Sequence, residues 1–110
     1  MEIQILDDTD PQYANIKPWQ HHGSVYGIMP SQPGYLRPVG QWNFEEVIVD
    51  GSRVRVFLNG TLITDADLGK IEKSVDEHEH PGMKRTEGYI GFMGHGHPVE
   101  FRNIRLKVLK

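Results

Sequence analysis

The segment Trp42–Leu68, WNFEEVIVDGSRVRVFLNGTLITDADL, contains the two strongest turn signals in the chain. Asp50-Gly51 and Asn59-Gly60 are dipeptides that favour two-residue hairpin turns, because they tolerate the positive φ angles that such turns need. Apolar and polar residues alternate on either side of each dipeptide, which is the period of a half-buried strand. The segment therefore predicts a three-stranded antiparallel meander.

Counting outward from the two dipeptides gives an expected register for this meander. The first turn pairs Val49 with Ser52, Val47 with Val54 and Glu46 with Arg55; the second pairs Leu58 with Thr61, Val56 with Ile63 and Arg55 with Thr64. Both turns then place the same apolar residues on one face of the sheet, which we expect to be buried. These residues are Val47, Val49, Val54, Val56, Leu58 and Ile63.

Further period-two segments outside the meander predict an all-β fold. They are Glu2–Asp7, Ser24–Met29, Glu87–Met93 and Val99–Leu109. In the last of them the apolar positions shift by one residue near Arg102-Asn103, which is typical of a β-bulge. We expect residues 1–110 to form a single domain, an antiparallel β-sandwich, with a polar loop between Asp67 and Pro81.

Composition excludes several classes of protein. With 110 residues, of which 37% are hydrophobic and 25% charged, the chain has an ordinary globular balance. No apolar run reaches the roughly 18 residues of a membrane helix, so we expect no membrane partner. The segment from Lys84 to Lys110 carries a net charge of +4, but its basic residues alternate with apolar ones, so we expect no nucleic-acid partner either.

Two further absences in the sequence bear on chemistry and location. The chain has no cysteine, which excludes disulfides, thiolate metal sites and cysteine nucleophiles. Met1 leads directly into Glu-Ile-Gln-Ile-Leu, without the basic start of a signal peptide. On the sequence alone, the protein is either cytoplasmic or has a trimmed start.

Histidines are the most conspicuous candidate ligands. All six lie in pairs: His21-His22, His78/His80 and His95/His97. Residues i and i+2 of a strand share a face, so each of the last two pairs could offer two imidazoles to one metal ion. The acidic stretch around His78 and His80 is more typical of a solvated loop. The flanking glycines of His95 would let backbone or a ligand approach closely, so both a structural and a functional role stay open.

The first predicted strand presents a polar face. Glu2 and Gln4 lie opposite Ile3 and Ile5, so they line the outer surface of a sheet if the isoleucines enter the core. In a jelly roll such a surface is concave and can hold a saccharide; a plain solvated face is the alternative. Aromatic residues that could stack on sugar rings are Trp19, Trp42, Tyr26 and Tyr35, although we expect Trp42, which opens a strand, in the core.

Four sequence blocks together resemble one family. They are EIQILD (Glu2–Asp7), GSVYG (Gly23–Gly27), GQWN (Gly40–Asn43) and GHGHPVEFRNIRL (Gly94–Leu106). In order and spacing they are similar to the 3-keto-disaccharide hydrolase domain, over essentially the whole chain. The resemblance implies a concanavalin A-like jelly roll that acts on sugars oxidised at carbon 3 and is exported by bacteria, hence periplasmic or secreted.

The resemblance has one departure and implies a set of site residues. The family domain normally has several strands before the Glu-x-Gln stretch, so this chain resembles its C-terminal part and we expect an incomplete jelly roll. A homodimer, or a chain supplying the missing strands, would complete it. Glu2, Gln4, Asp7, Tyr26, His95, Arg102 and Asn103 match family positions. We expect Glu2 and His95 to be catalytic, and the substrate-binding residues to be Gln4, Asp7, Tyr26, Arg37 and His97.

The implied reaction is cleavage of a 3-keto-glycoside. A ketone at carbon 3 acidifies the hydrogen on carbon 2, so Glu2 or His95 could act as the base. Arg37, Arg85 or a divalent cation could stabilise the enolate oxygen. Apart from that cation, the sequence does not identify a cofactor. A non-catalytic carbohydrate-binding module and an inactive fragment are the alternatives, because a fold does not fix a function.

Overall fold

Three strands form one antiparallel sheet: β1 (Glu45–Asp50), β2 (Arg53–Leu58) and β3 (Thr61–Asp67), in the order β1-β2-β3. The structure is a computed structural model that describes residues 1–109. Short 3-10 helices occur at Pro11–Tyr13, Pro18–Gln20 and Pro81–Lys84. The meander predicted from the two turn dipeptides is confirmed, and none of the described helices has the length and apolar character needed to cross a membrane.

The first turn differs from the predicted one by one residue. Asp50 pairs with Arg53, so the turn residues are Gly51 and Ser52, and Val47 pairs with Val56 rather than Val54. Gly51 has a φ of 59° while Ser52 is absent from the positive-φ residues, which fits the turn type that needs glycine only at its first position. Directly paired residues share a face, so the four valines still point to one side as expected. Val47 and Val49, which were expected to be buried, are nevertheless 40% and 47% exposed. The predicted Glu46–Arg55 pair is wrong, because Glu46 lies opposite Phe57.

The predicted pairing across the second turn is correct at the tip, but the register shifts by one residue further along the strands. Asn59 and Gly60 both have positive φ, 51° and 87°, and Leu58 pairs with Thr61 as predicted. The register then slips between Val56 and Phe57, so Val56 faces Thr64 rather than Ile63 and Arg55 faces Asp65. An extra residue on one strand is a β-bulge. As a result Ile63 and Thr64 are both buried, with 3% exposed.

The inner face of the sheet is covered by the segment between His22 and Ser31. Its side chains Val25 and Ile28 pack against one end of the hairpins, in a cluster with Val54, Ala66 and Leu68. A second cluster contains Val56, Leu58 and Ile63. Ile3 packs against both clusters, which joins the start of the chain to the core.

The predicted strands Glu2–Asp7 and Ser24–Met29 are present only as isolated bridges. Ile3 pairs with Val25, and Val25 pairs with Met29. The second bridge folds the Ser24–Met29 segment back on itself at Gly27, where φ is 73°, so it cannot continue as a strand. The core position of Ile3 is confirmed, whereas Ile5, expected beside it, is 40% exposed.

The C-terminal segment, residues 85–109, is exposed and has no strand. The predicted strands Glu87–Met93 and Val99–Leu109 are therefore wrong for the described residues, because their apolar side chains find no ladder to join. Asn103 has a φ of 53°, so the backbone is irregular where the bulge was predicted. Among residues 1–109 there is one sheet, and the predicted two-sheet jelly roll is not confirmed.

The directly paired valines Val47 and Val56 offer a matched test of this packing. Val56 is 0% exposed and Val47 is 40% exposed, although both are on the inner face. We expect Val56→Ala to lower the free energy of unfolding by about 2 kcal/mol and Val47→Ala by less than about 0.5 kcal/mol. Urea unfolding measures both. Equal losses would show that another chain covers β1 in solution.

Candidate functional site

Three of the predicted site residues, Glu2, Gln4 and Tyr26, are connected by hydrogen bonds near the first residues of the chain. The backbone N–H of Tyr26 donates to the carbonyl of Glu2 at 3.0 Å. Gln20 links Gln4 to Tyr26, because its carbonyl accepts from Gln4 Nε2 at 3.2 Å and its Nε2 donates to the Tyr26 hydroxyl at 3.1 Å. The edge of the Tyr26 ring meets Trp19 with centroids 5.0 Å apart. The structure thus links the Gln4 and Tyr26 side chains through Gln20, and Glu2 joins them through its backbone carbonyl; these residues are called the Tyr26 group.

Asp7 and Arg37 make local contacts. The Asp7 carboxylate accepts hydrogen bonds from the backbone and the hydroxyl of Thr9, which is a common way to stabilise a turn. Arg37 donates from a guanidinium nitrogen to the carbonyl of Trp42 at 2.9 Å and from its backbone to Asn43 at 2.8 Å. Neither contact joins these residues to the Tyr26 group.

His95 and His97 lie in the exposed C-terminal segment. Their ring centroids are 6.3 Å apart, with the planes inclined by 24°. Within residues 1–109 neither ring forms a hydrogen bond or an ion pair with Glu2, so the convergence of Glu2 and His95 stays a prediction. No three His, Asp or Glu side chains of the described residues gather as a metal-binding group. Residues 1–109 therefore supply no ligand set for a divalent cation at the enolate oxygen.

Two other histidines form contacts that the sequence did not predict. His22 Nε2 lies 2.6 Å from a Glu45 carboxylate oxygen, and its Nδ1 accepts from the Leu6 backbone at 3.2 Å. Because Nδ1 is the acceptor, the ring proton is on Nε2 and points to Glu45. Both nitrogens of this buried ring are therefore occupied. His22 connects the start of the chain to β1 and is not available as a base.

His21 and Asp8 extend this contact. His21 Nδ1 lies 3.0 Å from Asp8 Oδ2, and the same oxygen accepts from the backbone of His22 at 3.0 Å. The Asp8 side chain is only 6% exposed, so these partners compensate a nearly buried carboxylate. Spacing in the sequence could not reveal these pairs, because their partners are 13 and 23 residues away.

The loop around His80 is anchored to the core and is not the fully solvated loop that was predicted. His80 Nε2 lies 2.9 Å from both oxygens of Asp76, whose side chain is 5% exposed. The backbone N–H groups of Val75 and Asp76 both donate to the Gly27 carbonyl. A Cβ at position 27 would lie 2.1 Å from Asp76 Oδ2, so glycine is required there. His78 is exposed, as expected.

Opposing effects act on the Asp76 carboxyl. Burial alone would raise its pKa, but hydrogen bonds from the His80 ring, the His78 backbone and Ser74 outweigh burial, so the pKa of Asp76 lies below its ordinary value of 3.8. The carboxylate form is thus the one that the folded chain stabilises. The loop that carries His78 and His80 is fixed by a charged group at neutral pH.

Comparison with known proteins assigns the family. The model of the 3-keto-alpha-glucoside-1,2-lyase-like domain matches residues 1–107. The chain belongs to this family. The resemblance inferred from the four sequence blocks is therefore confirmed, and it extends over almost the whole chain. The lyase-like domain includes every site residue predicted above, from Glu2 to His97.

Two relatives show how much of a longer protein this chain corresponds to. A 3-keto-disaccharide hydrolase from Bacteroides thetaiotaomicron is 29% identical over 126 aligned positions, which include 98% of this chain and 43% of the relative. A crystal structure from Parabacteroides distasonis, described as a glycosyl hydrolase, is 31% identical with a TM-score of 0.63, over 72% of this chain and 42% of that one. The chain thus spans less than half the length of either protein.

The Asp76 contacts predict how stability depends on pH. A folded pKa below 3.8 gives stabilisation that is present above about pH 4 and is lost as the pH falls through the lowered value. We expect Asp76→Asn to be less stable than the unmodified protein at pH 6, and to lose less stability between pH 6 and pH 3. Urea unfolding at both pH values measures this difference.

Asp10→Asn is the matched control for that experiment. Asp10 is half-buried and accepts one backbone hydrogen bond, from Gln12, which asparagine can also accept. This variant should keep the acid sensitivity of the unmodified protein. If the two variants respond equally to acid, the charge of Asp76 does not anchor the loop.

Proposed function

We propose that this chain is the part of a carbohydrate-active protein that cleaves glycosidic bonds of 3-keto-glycosides. The observation that carries the proposal is the family match over residues 1–107. The Bacteroides relative, named a 3-keto-disaccharide hydrolase, and the Parabacteroides glycosyl hydrolase support a glycoside-cleaving role. The substrate class is a saccharide oxidised at carbon 3.

The reaction follows from the acidity next to a ketone. A base removes the hydrogen on carbon 2, and the electron pair forms an enolate with the carbon 3 oxygen. The enolate re-forms the ketone and expels the carbon 1 substituent, so the carbon 1–oxygen bond breaks and an acid protonates the leaving oxygen. Water then adds at carbon 1 and a proton returns to carbon 2, which completes hydrolysis.

Glu2 and His95 are the proposed catalytic residues. Glu2 is exposed and lies beside Gln4 and Tyr26, whose polar groups could bind sugar hydroxyls. His95 shares its segment with His97, and both would have to approach Glu2 for one site to form. Asp7 and Arg37 are the other proposed substrate ligands, with Arg37 or Arg85 stabilising the enolate oxygen.

A carbohydrate-binding module without catalysis is the second candidate. It is favoured by the exposed aromatic side chains Tyr35 and Trp42, which are 43% and 39% exposed, because aromatic rings offer apolar faces to ligands. The chain also spans only 43% of the hydrolase relative. An inactive fragment would bind no saccharide at all.

The proposed partner is a second polypeptide, either another copy of this chain or one that supplies further strands. The supporting observation is the exposure of large apolar residues in the C-terminal segment, such as Ile90 at 82% and Leu106 at 75%. Exposed apolar residues in extended chain favour pairing with another strand. Periplasmic or secreted location is proposed from the family resemblance alone.

Incubation with a 3-keto-α-glucoside that carries a chromogenic aglycone tests the activity. We expect the protein to release the aglycone, and Glu2→Gln and His95→Gln each to lower kcat/KM by roughly 100-fold or more, the usual loss for a general base or acid. Glu46→Gln and His78→Gln, at exposed positions with no assigned role, should retain activity. If only the Bacteroides hydrolase releases the aglycone, the binding module is favoured instead.

Sedimentation at micromolar concentration tests the partner. We expect the purified chain to form a dimer, and Leu106→Lys to weaken it because a charge replaces a contact side chain. Val39→Lys is the matched control, since Val39 is 77% exposed but lies outside the C-terminal segment. A monomeric wild-type chain that unfolds in one sharp thermal transition would contradict this proposal.

A further inference from the structure

The loop before β1 exposes three aromatic side chains. Tyr35, Trp42 and Phe44 are 43%, 39% and 64% exposed, and neither core cluster includes them. The prediction that Trp42 lies in the core is therefore wrong. These three side chains offer accessible aromatic surface in the segment that leads into β1.

The turn residue Asn59 holds this loop in place. Its side-chain nitrogen donates to the Tyr35 carbonyl and to Asn43 Oδ1, each at 2.9 Å. Its side-chain oxygen accepts from the Phe44 backbone at 2.9 Å, and its own backbone donates to Phe44 at 2.8 Å. One asparagine thus fixes both ends of the loop. A surface fixed before binding loses less conformational entropy when a ligand arrives.

Two arginines lie at Trp42. The Arg102 guanidinium carbon is 4.0 Å from the centroid of the indole ring, which is a cation–π contact. Arg37 donates one hydrogen bond to the Trp42 carbonyl. A guanidinium has five N–H donors, and in residues 1–109 the Arg102 side chain forms no hydrogen bond to protein. Most of these donors are free to bind acceptor oxygens beside an accessible aromatic ring.

We propose that Trp42, Arg37 and Arg102 form a saccharide-binding platform, the Trp42 platform. A neutral hexopyranoside presents an apolar C–H face that suits the exposed part of the indole, and ring oxygens that accept from guanidinium groups. The Arg102 guanidinium lies over one face of the ring, so the proposed ligand would contact Trp42 on the opposite face or at the ring edge. The proposal rests on the carbohydrate specificity proposed above. The Trp42 platform forms no hydrogen bond with the Tyr26 group in residues 1–109, and it shares Arg37 with the substrate ligands proposed above.

Nuclear magnetic resonance of the indole N–H groups tests the platform directly, because the chain has two tryptophans. Trp19 packs against Tyr26 and serves as the internal control. The probes are methyl α-D-glucopyranoside and its 3-keto derivative. We expect the Trp42 signal to shift on titration, with a Kd on the order of 1 mM, while the Trp19 signal stays in place. Trp42→Phe assigns the two signals.

Calorimetry of variants gives a second measurement. Trp42→Ala should weaken saccharide binding at least tenfold, and Tyr89→Ala, at a fully exposed position outside the platform, should not change it. A shift of the Trp19 signal alone, or of neither signal, would overturn the platform. A Trp42 shift that appears only for the monomeric chain and is absent for the dimer would assign the surface to the interface between copies and would also overturn it.

The outcomes separate the platform from the proposed activity. Aglycone release without a Trp42 shift leaves the hydrolase intact and rejects the platform. A Trp42 shift without aglycone release supports the platform and rejects catalysis by this chain.

Discussion

The close approach of Gly23 to the inner face of the sheet is the contact on which the rest of the structure depends. Its φ is 80°, and a Cβ there would lie 2.3 Å from Ile63 Cδ1. Its carbonyl accepts from the buried Thr64 hydroxyl at 2.8 Å, and its N–H donates to Gln4. One residue therefore joins β3 to the start of the chain. Any side chain at this position would strain the backbone at its positive φ and would require the Ile63 side chain to move.

The same contact positions the candidate site. Because Gly23 fixes the His22–Ser31 segment, His22 reaches Glu45, and Tyr26 reaches the backbone of Glu2. Ser24 and Ser31 complete the segment with a buried hydrogen bond of 3.2 Å. The site residues near Tyr26 thus depend on a segment whose buried polar groups have partners, which favours a rigid arrangement.

The sequence predicted what local chemistry determines and missed what depends on distant contacts. Asn59-Gly60 specifies its turn through its own φ angles, so that pairing is correct. The turn predicted at Asp50-Gly51 was wrong because Gly51-Ser52 can also form a two-residue turn. The bulge at Ile63 has no local signal in the sequence. The C-terminal alternation is genuine, but a strand needs a neighbour. The family blocks are the source of the Glu2 and Tyr26 site predictions, whereas the His22–Glu45 and His80–Asp76 contacts arise only after folding.

The exposure of the candidate residues bears differently on the two candidate functions, catalysis and saccharide binding. Stabilising an enolate requires fixed donors in a site that excludes water, yet Glu2, Arg37 and His95 are all exposed in residues 1–109. Stacking on Trp42 requires only an accessible ring. Catalysis by these residues would therefore require further structure that covers them. Saccharide binding does not require that water be excluded. The chain alone therefore satisfies the condition for binding, an accessible ring, but not the condition for catalysis.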